Sequence, residues 1–130
     1  MKIKNIYITI ILSLGLILFG CSSSEEPEIH EEPIISLSTE PTSIIAGDSI
    51  EIEIAIEAHG MGGISGLSLH GEMHLHDDAG LVDLDFHEST DHAGHYHAEY
   101  VFAIPGIYEL HCSFMHEGDN VEEVFTIDVK

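Results

Sequence analysis

An antiparallel β-sandwich of about seven strands is the fold that this sequence predicts, on three observations. Apolar and polar residues alternate at period two in one segment after another. Proline, glycine and aspartate punctuate these segments at intervals of roughly ten residues, as in all-β domains. No helical period accompanies them. The class is all-β, and residues 34–130 have the size of a single immunoglobulin-like sandwich.

The N-terminus stands apart. Residues 1–20 carry Lys2 and Lys4, then an apolar run from Ile6 to Phe19, and end in a small residue. This is the layout of a secretory signal. Leu18-Phe19-Gly20-Cys21 resembles the lipobox of bacterial lipoproteins. The resemblance implies lipid on Cys21 and an extracytoplasmic domain anchored to a bacterial membrane, with the lipid bilayer as its first partner. Residues 22–33, SSSEEPEIHEEP, offer almost nothing to bury, so 21–33 reads as a lipidated cysteine followed by an acidic, disordered tether.

Within 34–130 each strand has its own signature. Ile34–Thr39 opens the domain, and turns follow at Pro41 and Gly47-Asp48. In Ser49–Glu57 the residues Ile50, Ile52, Ile54 and Ile56 face inward, opposite Glu51, Glu53 and Glu57. Residues 59–66 hold four glycines and form a loop. Leu67–Leu75 alternates again, with His70, Glu72 and His74 outward. Val82, Leu84 and Phe86 make a short strand, and residues 88–94 a polar loop. His95–Phe102 and the segment after Pro105-Gly106 both alternate, with Tyr108, Leu110, Cys112 and Phe114 on one face and Glu109, His111 and Ser113 on the other. Gly106-Ile107-Tyr108 has the form of a tyrosine corner. Val121–Val129 closes the domain with Phe125, Ile127 and Val129 inward.

Ala46-Gly47-Asp48 before an alternating strand, His95-Tyr96-His97-Ala98 through Phe102, Pro105-Gly106 and Tyr108 together resemble the YtkA-like, FixH-related group of extracytoplasmic domains. That resemblance covers 34–130 and implies an immunoglobulin-like fold with membrane attachment.

Charge narrows the function. Without residues 1–20 the chain keeps one basic side chain against 24 carboxylates, a formal charge of 1 − 24, or −23. Such a field repels nucleic acid and attracts cations. A phosphate loop, a nucleophile elbow and an HExxH motif are all missing, so the expectation is a binding protein and not an enzyme.

Eleven histidines are the main compositional oddity. Histidine is the commonest protein ligand for zinc and copper, and His-rich tracts read as metal sites. The expected metal ligands are His74, His76, His87, His92, His95, His97, His111 and His116, together with Asp85. The pairs His74-x-His76 and His95-x-His97 each set two imidazoles on one strand face. If the loop 88–94 joins neighbouring strands, the simplest register sets His87 against His95 and Asp85 against His97, gathering three imidazoles and a carboxylate. Cys112 shares parity with core residues, which predicts a buried thiol in preference to a blue-copper ligand. The functional expectation is a lipoprotein that binds or delivers zinc or copper. The alternatives are a ligand-free tethered interaction domain and a cupredoxin-like electron carrier.

Overall fold

A computed structural model describes residues 31–130. The signal-like segment, Cys21 and the tether up to His30 lie outside the described residues. Glu31 and Glu32 are exposed and carry no regular structure.

Among the described residues there are nine strands and no helix. They are β1 (Ile34–Glu40), β2 (Ser49–Ala58), β3 (Gly62–Gly63), β4 (His70–Leu75), β5 (Val82–Asp85), β6 (His87–Glu88), β7 (His95–Val101), β8 (Gly106–His116) and β9 (Asp119–Val129). The seven expected strands are present, and β3 and β6 are two-residue additions within expected loops or their edges. The first sheet has the order β1-β2-β7-β6 with β3 on the end of β2, and the second has β5-β4-β8-β9. All strand pairs are antiparallel. This is the strand order of an immunoglobulin-like sandwich, with β5 added beside β4.

The alternation read from the sequence fills the space between the sheets. Ile50, Ile52, Ile54 and Ile56 of β2 are fully buried, and each contributes about 1.5–3 kcal/mol by leaving water. Across from them lie Met73, Leu84, Leu110, Cys112, Phe114 and Ile127. Phe102 stacks edge-on against both Tyr100 and Tyr108, with ring centroids 5.0 and 4.8 Å away. The tyrosine corner is present, since the Tyr108 hydroxyl donates to the Ile104 carbonyl at 2.8 Å. Two backbone bonds tie the β1–β2 connection to the last strand, Ala46 N to Lys130 O at 2.9 Å and Lys130 N to Ile44 O at 3.0 Å.

One expectation is overturned. Residues 81–102 do not form a simple hairpin, because the chain changes sheets at Phe86. Asp85 lies opposite His70 in the second sheet, while His87 lies opposite His97, not His95, in the first. Period-two patterning cannot separate these registers, because a shift of two residues keeps every side chain on its face. Packing and loop bonds decide. The Phe86 ring sits over Gly71, where an added Cβ would come within 2.5 Å of it. The Glu88 carboxylate accepts from Gly66 N at 2.8 Å and from Gly94 N at 3.3 Å, and these two bonds, the shorter first, hold it below the usual carboxylate range. Ser89 N donates to His95 O at 2.7 Å, closing the loop two residues later than expected.

Candidate metal centre

Strand parity decides which side chains can meet outside the core. On the second sheet, the polar residues of β4 and β8 that face away from the core include His70, Glu72, His74, Glu109, His111 and Ser113. In register, Glu72 opposes His111 and His74 opposes Glu109. Directly opposed side chains lie about 4.5–5.5 Å apart at Cβ, so an imidazole and a carboxylate in those positions reach each other.

Glu109 is the hub of this face. Its Oε1 lies 2.9 Å from His76 Nδ1, and its Oε2 lies 3.2 Å from His74 Nε2 and 3.8 Å from His111 Nε2. His76 is brought there by the turn after β4, where its N–H donates to Ile107 O at 2.8 Å. The hydrogen bond from His76 draws the Glu109 carboxyl below its usual range; partial burial opposes this, and positive charge on His76, His74 and His111 adds to it. The His74 and His111 rings are tilted by 32° with centroids 5.3 Å apart. His74 Nδ1 is buried and without a hydrogen-bond partner. The remaining nitrogen, the shared carboxylate and the His111 nitrogen thus converge. Ligand atoms of His74, Glu109 and His111 all lie within 4.8 Å of one another. Two imidazoles and one carboxylate are a donor set for zinc, copper or another late divalent metal, with coordination positions left open.

The first sheet treats its histidines differently. His97 Nδ1 lies 3.0 Å from Glu51 Oε1 and its Nε2 lies 3.4 Å from Glu53 Oε2. His95 Nδ1 comes within 3.2 Å of Glu53 Oε1 but out of line for a hydrogen bond. His92, in the 88–94 loop, places its ring 5.6 Å from that of His95. His87, His97 and Asp85 line an open hollow of about 430 Å³ with Glu51 and Glu99. Among the described residues only two groups bring three ligand atoms within 4.8 Å of one another, and both are on the second sheet. His87, His95, His97, Asp85 and His92 therefore share a neighbourhood without converging. His116 ends β8 opposite Asp119, at the far end of the strand from Glu109.

Cys112 lies in the core at 1% exposure. Burial first, and then the Glu123 charge, push its thiol up to about 12. At neutral pH it is a protonated core group whose side chain points away from His111.

Sequence reasoning placed Glu109, Glu72 and His70 on outward faces but did not name them as ligands. Their signal was parity shared with His111 and His74. What was missing was the pairing of β4 with β8, which joins His76 to Glu109 across 33 residues of chain. Comparison with protein-family models and with curated proteins finds no match.

Proposed function

We propose that this protein is an extracytoplasmic lipoprotein, anchored to a bacterial membrane through lipid on Cys21, whose sandwich domain binds or delivers zinc or copper. The observation that carries the reading is the convergence of His74 and His111 on Glu109. The role is binding rather than catalysis. The formal charge of −23 outside residues 1–20 draws cations toward the surface. The likeness to YtkA-like domains, carried by the residues around His95–Tyr108, agrees with membrane attachment.

Titration of the metal-free protein with zinc, Cu(II) and Cu(I) in turn tests this reading. At least one tight, chelator-reversible equivalent is expected, and Glu109→Gln combined with His111→Ala should abolish it. Absence of uptake from the unsubstituted protein would leave a tethered interaction domain. An intense blue absorption lost in Cys112→Ala would instead identify an electron carrier. For the anchor, intact-mass measurement of the membrane form should show residues 1–20 removed and acyl mass on Cys21.

A further inference from the structure

The second convergent group on the same face is His70, Glu72 and Asp83, with ligand atoms again within 4.8 Å of one another. His70 Nε2 lies 3.3 Å from Glu72 Oε1. Register shows how this group relates to the first. Glu72 opposes Asp83 on β5 and His111 on β8, so Asp83, Glu72 and His111 form one row across three strands. The row above it holds Asp85 and Ser113 on either side of His70. Beside them a hollow of about 150 Å³ over β4, β8 and β9 is lined by His70 and Glu72 from one group, His111 from the other, and by Ser113 and Glu122. That is room for an ion with water, edged by oxygen and nitrogen donors on both sides.

We propose that this face holds two divalent cations side by side, the second on His70, Glu72 and Asp83, with the Glu72 carboxylate between the two positions. The inference rests on the metal-binding reading given above. Two cations on neighbouring rows repel each other, and the carboxylates of Glu72, Asp83 and Asp85 at the β5 edge, with Glu122 on β9, offset that repulsion across this face. The donor sets differ in character. The first offers two imidazoles and one carboxylate; the second offers one imidazole and two carboxylates, which suits harder divalent ions. Exposure sets the order of filling. The His74 and Glu109 side chains are 20% and 30% exposed, against 57% and 43% for His70 and Glu72. Donors already held in place lose less freedom on binding, so the first position fills first.

The test is zinc stoichiometry by calorimetry and native mass spectrometry on the unsubstituted protein and on His70→Ala/Asp83→Asn, with circular dichroism as the folding control. Expected are two equivalents, tight then weaker, falling to the tight one alone in the double variant. Two equivalents of Cu(II) should also broaden each other's paramagnetic resonance, which ions on opposite faces of the sandwich would not do. A single equivalent in the unsubstituted protein overturns the second position and leaves the first standing. No equivalent overturns both. Two equivalents retained in His70→Ala/Asp83→Asn places the second ion elsewhere and overturns the inference. If that variant misfolds, Asp83→Asn alone, at an exposed position, must still weaken the second equivalent.

Discussion

On the outer face of the second sheet one carboxylate meets three imidazoles, whereas on the first sheet two carboxylates divide two imidazoles between them. Both faces derive from strands with the same alternating grammar, and both are rich in histidine and glutamate. The difference lies in stoichiometry and direction. Both nitrogens of His97 point at carboxylates, so an ion there would have to displace a partner from one of them. Around Glu109 the imidazoles share a single acceptor, and ligand atoms of His74, His111 and Glu109 all lie within 4.8 Å of one another. A count of histidines therefore does not say which of them share a carboxylate; strand register does.

The contrast breaks most decisively at Glu109. Glu109→Gln with His111→Ala removes two of three convergent ligands, and zinc affinity should fall by more than about 100-fold, the upper range for losing a mere outer partner. The matching pair on the other sheet, His95→Ala with His97→Ala, should leave the tight equivalent in place. If that pair instead removes it in calorimetry, the assignment of the two faces is reversed.

The next effect is on stability. Cys112→Ala empties a well-packed core position and should cost roughly 1–2 kcal/mol in denaturant unfolding, with metal stoichiometry unchanged. Because burial keeps the thiol protonated, alkylation should be slow in the folded protein and fast in denaturant. Rapid labelling of the native protein would show that Cys112 is not the core group described above.

A smaller effect comes from acid. The Glu109 carboxyl titrates below its usual value of 4.5 in the folded protein. A carboxylate of this kind stabilises the fold above its unfolded value, and the contribution is lost as pH falls through the folded value. Unfolding midpoints of unsubstituted protein and Glu109→Gln should thus differ near neutrality and draw together below about pH 4.5. Metal release should come earlier, over the range of about pH 5–8 in which histidine generally changes charge, since protons compete for the same nitrogens. Coincident release and loss of the stability difference would argue against imidazole ligation.

Much of this molecule could be read from its chain. The isoleucines of β2, the parity of β8, the corner at Tyr108 and the inward thiol all follow from period-two patterning and turn chemistry, which are local and therefore visible along a strand. The outward positions of His70, Glu72, His74, Glu109 and His111 followed from the same parity. Their neighbours did not. Parity assigns a side chain to a face but says nothing about which strand lies beside it, and registers two residues apart satisfy it equally. Only the tertiary structure set β4 against β8, moved His87 opposite His97 and sent the chain across at Phe86. Those choices depend on the shape of the Phe86–Gly71 contact and on the Glu88 bonds to two distant backbone amides. Composition and period-two patterning together determined that this would be an acidic, histidine-rich β-domain; the packing of distant strands decided which of its histidines share a carboxylate.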